Sequence, residues 1–222
     1  MGFSFKSIAA AALVVSMGTA ASAATLSIDG GYSGTIPGGL DGAPTSPNNV
    51  LQNVFGVNSM DGFFGSSISV DGNARVKVEF LGWEAGATNS FTMGGNTLAS
   101  AGKSGYATLP GNLGEFTVDS LAGLLGFYFS STIGGGRTVN NGSGNLAAIN
   151  FFASFGDGST TSGKELLLFL DDGGKNSDGG LDDNHDDFAI RMSVVPLPAG
   201  MLLLLTGIGG LGVASRRRKV QS

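Results

Sequence analysis

Seven aspartates stand within "DDGGKNSDGGLDDNHDDF", from Asp171 to Asp187, and Lys175 is the one Lys or Arg among them. Carboxylates crowded this closely repel one another, and a hard divalent cation with oxygen ligands is a common relief. Calcium is the candidate ion, with Asp172, Asp178, Asp182, Asn184, Asp186 and Asp187 as candidate ligands. Asp182, Asn184 and Asp186 take the first, third and fifth places of an EF-hand-like spacing. However, Asp187 stands at the sixth, where that loop needs glycine, and Ser193 at the twelfth, where it needs glutamate. The segment is therefore not an EF-hand. If it runs extended, Asp182, Asn184 and Asp186 point one way and Asp183, His185 and Asp187 the other, and either row could help coordinate an ion. The competing reading is a solvated, turn-forming acidic loop that keeps a sheet edge soluble.

His185 is the sole histidine, and the chain has no cysteine. A zinc site or a histidine-dependent triad would have to be built around it without thiolate ligands and without a Gly-x-Ser-x-Gly elbow. The expectation is an exposed loop residue. A carboxylate pair can hydrolyse glycosides, but the sequence singles out no acid for the task, so the expectation is a protein that is not an enzyme.

The elements that must position these residues read as strands. "ARVKVEFLGW" alternates strictly, placing Val76, Val78 and Phe80 toward a core and Arg75, Lys77 and Glu79 toward solvent. Short apolar or alternating runs recur at "ATLSI", "SSISV", "NSFTM", "EFTV", "LLGFYFS", "AAINFFASF", "KELLLFL" and "FAIRMSVV", bounded by Gly, Asn, Asp and Ser. This pattern predicts an all-β fold, an antiparallel two-sheet sandwich of jelly-roll type, with little helix. The glycine-rich stretches "GGYSGTIPGGLDGAPTSPNN" and "SSTIGGGRTVNNGSGN" read as exposed loops, and neither has the spacing of a phosphate-binding loop.

Charge narrows the partners. All 17 acidic residues and 7 of the 12 basic ones fall in residues 24–193, a formal balance of 7 − 17 = −10. Nucleic acid is excluded as a partner, because phosphate binding requires a basic surface.

The two ends read as export signals. Lys6 precedes the apolar run from Ile8 to Met17, and the small residues Ala21, Ser22 and Ala23 predict cleavage between Ala23 and Ala24, making residues 1–23 a signal peptide. Signal peptidase and the Sec translocon are the partners implied. At the other end, residues 194–222 hold Val195, Pro196, Leu197, Pro198 and Ala199, then a glycine-broken apolar run, then Arg216, Arg217, Arg218 and Lys219. The uncharged stretch from Val194 to Ala214 has 21 residues, close to the ~20 that cross a bilayer as a helix. With the domain exported, the basic end stays in the cytoplasm.

This order of parts resembles the PEP-CTERM surface proteins of Gram-negative bacteria, with Val195–Ala199 similar to the VPLPA variant of their sorting signal. The segment "FLGWEAGATNSF" and the aspartate-rich strand–loop–strand before the tail are also similar to that family's extracellular domains. The resemblance implies recognition by an exosortase-type transpeptidase, transient residence in the inner membrane, removal of the tail, and delivery to the cell surface or extracellular matrix. It also implies a link to exopolysaccharide and biofilm. The expected function is a structural surface or matrix protein stiffened by calcium. A carbohydrate- or surface-binding, adhesin-like module is the alternative, with a glycan hydrolase behind both. In that segment Trp83 and Phe91 are expected to pack in the sheets, while Glu84 and Asn89 cap a turn or lend oxygens to an ion.

Overall fold

A computed structural model describes residues 24–37, 47–143, 145, 148–174 and 183–195. The signal segment up to Ala23, the motif residues Pro196–Ala199, the basic end, and the candidate ligands Asp178 and Asp182 lie outside the described residues.

The chain is all-β, with three antiparallel sheets and little helix. It begins with β1 (Leu26–Asp29), β2 (Tyr32–Ile36), β3 (Met60–Phe64), β4 (Ser67–Val70) and β5 (Ala74–Glu84). The middle of the chain supplies β6 (Asn89–Met93), β7 (Asn96–Ala99), β8 (Ser104–Tyr106), β9 (Gly114–Ser120), β10 (Gly123–Leu124), β11 (Phe127–Ser131) and β12 (Arg137–Asn140). The last strands are β13 (Asn150–Ser154), β14 (Ser162–Gly163), β15 (Glu165–Asp171) and β16 (Phe188–Val195). One small sheet runs β10-β4-β1-β14 and another runs β12-β11-β6-β7. The large sheet runs β2-β3-β13-β15-β16-β5-β8, with β9 paired to the first part of β5.

Alternation explains which side chains meet. Val76, Val78 and Phe80 of β5 join Ile190, Met192 and Val194 of β16 and Leu166, Leu168 and Leu170 of β15 in one core. The two small sheets contribute Leu26, Ile68, Phe91, Phe127 and Phe129 to the same cluster. The opposite face of the large sheet is also covered. Leu81, Phe152, Phe169 and Ala189 pack there against Val50, Leu51 and Val54 from the helical turn Leu51–Phe55 and its entry. Burial on both faces is why "FFA" within β13 and "LLLFL" within β15 are continuous apolar runs instead of alternating ones.

A bulge adjusts the pattern. Ala189 pairs with Gly82 and Ile190 with Phe80, so β5 carries one extra residue at Leu81. Core-facing parity then passes from Val76, Val78 and Phe80 to Trp83, whose ring stacks on Phe80 at 5.3 Å. Phe91 is fully buried, as the sequence predicts.

Two expectations about the loops need correction. The stretch before Asn49 contains β2, anchored by buried Ile36, and the stretch after Ser130 contains β12, anchored by buried Val139. Asn141 is buried as well: its Oδ1 accepts from Ile68 N–H at 2.8 Å, and its Nδ2 donates to the carbonyls of Ile68 and Leu125 at 2.7 and 2.8 Å. One amide side chain thus completes the backbone pairing where the two small sheets meet. Small polar residues hide such anchors, because the buried group is a side-chain amide and not an apolar run.

Glu79 is a third correction. It sits on the second face of β5 but is buried, not solvent-facing. Opposite it on β16, Arg191 donates through Nε at 2.8 Å; Lys77 Nζ lies at 3.0 Å and Asn112 Nδ2 at 3.1 Å. Burial pushes the Glu79 carboxyl up, but the hydrogen bonds from Arg191, Lys77 and Asn112 outweigh it and hold it down at about 2. A depressed folded-state value means this stabilisation is complete above the ordinary value of 4.5 and is lost as pH falls toward 2. Glu79→Gln is expected to be less stable at pH 7 by roughly 2 kcal/mol and to show a shallower loss of stability between pH 5 and about 2. Urea unfolding across that range reads both effects.

Candidate metal centre

The acidic loop connects β15 to β16, a hairpin whose last ladder pair is Leu170 with Phe188. Asp171 ends β15 and Asp187 directly precedes β16, so the hairpin itself brings the two ends of the aspartate run together. Asp171, Asp172, Asp183, Asn184, His185, Asp186 and Asp187 are all buried. This excludes the solvated-loop reading for the described part of the segment, and it corrects the expectation for His185, which has no exposed surface at all.

The two sides of the loop have different work. Asn184 Nδ2 donates to the Pro47 carbonyl at 3.2 Å, and Asp186 accepts from Asn49 N–H at 2.8 Å. Asn48 completes the joint, donating to the Asn184 carbonyl at 2.7 Å and accepting from Leu51 N–H at 2.8 Å. The row containing Asn184 and Asp186 thus pins the segment that covers the large sheet's second face.

The other row converges inward. Asp171, Asp172 and Asp187 can each place one carboxylate oxygen within 4.8 Å of the others, and Asp171, Asp183 and His185 form a second such group. Of the six candidate ligands, the structure therefore brings Asp172 and Asp187 together and uses Asn184 and Asp186 differently. The six named candidates leave out Asp171, Asp183 and His185, which the structure groups as residues that could hold a metal; of these, Asp183 and His185 belong to the alternate row that the sequence left open. Their one signal was the alternation that puts Asp183, His185 and Asp187 on a single side.

Burial and mutual repulsion make these carboxyls hard to ionise. Burial pushes Asp171 up to about 9, helped by its hydrogen bond with Asp183 and the charge of Asp172. Asp187 is likewise raised well above the carboxylate range, first by burial and then by the charge of Asp172. Among the described residues no Lys or Arg pairs with the carboxylates of Asp171, Asp172 or Asp187; Arg137 instead donates to the carbonyls of Asp172 and Gly173 at 3.3 and 3.1 Å. Gly173 turns with φ +73° against the Ala148 carbonyl, where any Cβ would overlap it.

Asn89 lies at the same cluster. Its Nδ2 donates to Asp172 Oδ2 at 3.0 Å and to the Asp187 carbonyl at 3.3 Å, while its buried Oδ1 has no hydrogen-bond partner. A half-turn of the amide would present that oxygen to an ion held by Asp172 and Asp187. Asn89 thus serves the loop and not only its own turn, where its N–H donates to the Ser100 hydroxyl oxygen at 2.9 Å. These buried acidic groups could hold a metal. Asp172 and Asp187 also line a cavity of about 800 Å³, together with Glu84, Lys103, Ser104 and Thr132.

Comparison of the chain with protein-family models, curated proteins and solved structures gives no match.

Asp187→Asn separates a cation site from a plain hydrogen-bond acceptor, because the amide oxygen still accepts from Asp172 N–H, a bond of 2.8 Å. In chelator the variant removes the cost of protonating a buried carboxyl on folding and is expected to melt higher than wild type. With millimolar calcium the order should reverse, each difference being on the order of 1–2 kcal/mol. Differences of one sign in both buffers would contradict a cation at this cluster.

Proposed function

We propose that this is an exported, non-catalytic surface or biofilm-matrix protein, carried to its destination by a VPLPA-type sorting tail and stiffened there by calcium. The observation that carries the reading is continuity: β16 runs to Val195, and the next residue is Pro196 of the Pro-x-Pro motif. Cleavage just beyond the strand would release a domain whose last strand is complete. That strand lies in the middle of the large sheet, between β15 and β5, so it cannot be shortened without loss of core. The Pro-x-Pro motif therefore follows directly on the last residue of β16, and the first two residues of the 194–222 segment belong to that strand.

Within this reading the two small sheets act as one layer against the large sheet, a jelly-roll-like sandwich, and the shared core supports that arrangement. Calcium fits Asp171, Asp172 and Asp187 because the donors are all hard oxygens, and the unpaired Asn89 oxygen supplies a neutral fourth. Recognition by an exosortase-type transpeptidase, passage through the Sec translocon and removal of residues 1–23 belong to the same proposal, as does association with exopolysaccharide.

The sorting test is a double variant, Pro196→Ala with Pro198→Ala, compared with wild type in the producing cells. The expected result is a longer, membrane-retained protein in place of the processed one. Identical size and location for both would reject the sorting reading.

The cavity favours a second reading, a glycan- or surface-binding module. Its lining mixes Glu84, Lys103, Ser104 and Thr132, groups able to hydrogen-bond sugar hydroxyls beside the acidic cluster. A glycan array probed in calcium discriminates the two: selective binding lost on Lys103→Ala supports the module, and a silent array supports the structural role.

A further inference from the structure

The group around His185 has a chemistry different from that of the all-oxygen cluster. The imidazole is fully buried, enclosed by the rings of Phe64 and Phe152 at centroid distances of 5.2 and 6.3 Å. Its Nε2 lies 2.8 Å from Asn150 Oδ1. That oxygen can only accept, so Nε2 carries the ring proton and Nδ1 presents a lone pair. Nδ1 has no hydrogen-bond partner, and it faces Asp183 Oδ1 at 3.8 Å. Asp171 closes the triangle, with one donor atom from each of the three residues within 4.8 Å of the others. A bare nitrogen lone pair aimed at carboxylate oxygens inside a protein is unfavourable unless a proton or a metal cation lies between them.

We infer that Asp171, Asp183 and His185 form a binding site for a divalent transition cation of the zinc and manganese kind, separate in selectivity from the calcium site. One imidazole nitrogen with two carboxylates is a borderline donor set, which hard calcium and magnesium do not favour. The Asn150 contact is the outer hydrogen bond that metal-ligating histidines ordinarily make, fixing the tautomer and the ring plane. Asp171 is common to both groups and would bridge two ions if both bound. The inference does not depend on the export or calcium readings, since its evidence is the orphaned nitrogen.

The only histidine in the chain makes the test direct. The untagged full-length protein, labelled with nitrogen-15 in histidine and stripped of metal, is titrated separately with Zn²⁺, ¹¹³Cd²⁺ and Ca²⁺. The expected result is a large shift of the Nδ1 resonance with Zn²⁺, a one-bond coupling between ¹¹³Cd and Nδ1, and neither effect with Ca²⁺. An unshifted Nδ1 resonance and no coupling at saturating Zn²⁺ and Cd²⁺ would overturn the site, whatever calcium does to the melting temperature. In parallel, His185→Phe preserves an aromatic ring and should abolish zinc uptake while leaving the calcium-induced rise in melting temperature. Asn150→Ala retains all three ligands and should weaken zinc binding about 10- to 100-fold. Full zinc affinity in either variant would count against the site, and the nitrogen-15 readout on wild type decides the matter if a variant fails to fold.

Discussion

Burying carboxylates is the constraint on which the rest of this structure depends. Asp171, Asp172, Asp183, Asp186 and Asp187 are all removed from water within one connection between two central strands. Each ionised carboxylate taken from water costs several kcal/mol unless its charge is compensated. Hydrogen bonds offset part of that cost: Asp186 receives Asn49 N–H, Asp172 receives Asn89 and Ser131, and Asp187 receives Asp172 N–H. What hydrogen bonds leave over is net negative charge in a low-dielectric place, and the groups answer by holding protons or by holding a cation. The raised values of Asp171 and Asp187 express the first answer, and the proposed metal sites the second.

The consequences spread outward through identifiable contacts. The loop closes the β15–β16 hairpin at the centre of the large sheet, and its Asn184 and Asp186 side chains grip Pro47 and Asn49. That grip sets the helical turn whose Val50, Leu51 and Val54 cover the sheet's second face. Neutralising the aspartates therefore stabilises more than the loop. It fixes the lid over Phe152 and Phe169, and through the loop's Asp186 carbonyl, which accepts Glu84 N–H at 2.8 Å, the end of β5 as well.

How much of this was readable in the sequence follows from what each residue spends its side chain on. "NSFTM" and "FAIRMSVV" are strands to the residue, because alternation or dense apolar character directly records their burial. β2 and β12 were hidden, since Ser, Gly and Thr fill the middle of β2, Arg, Thr and Asn surround Val139 in β12, and a single Ile36 or Val139 supplies the buried anchor. The acidic loop was legible as a cation candidate, and the choice of ligands was not. Which face of an irregular loop turns inward is decided by partners far away in sequence, here Asn48, Asn89 and Asn150. His185 shows the point most sharply. Its neighbours are aspartates, which suggests solvent, yet it packs edge-on to Phe64 and adopts φ 61°, a left-handed conformation uncommon outside glycine. No local pattern announces that combination.

The central claim is that the acidic loop stays packed because cations compensate its charge. Hydrogen exchange at single-residue resolution, on the same protein with divalent cations and then with chelator at neutral pH, tests it most directly. The account predicts strong protection of the amides of Asp172 and Asp186 through Phe188 with cations present, and selective loss of that protection in chelator, extending to Leu51 while the β11 and β6 amides remain protected. Equal protection of the loop in both conditions would contradict it.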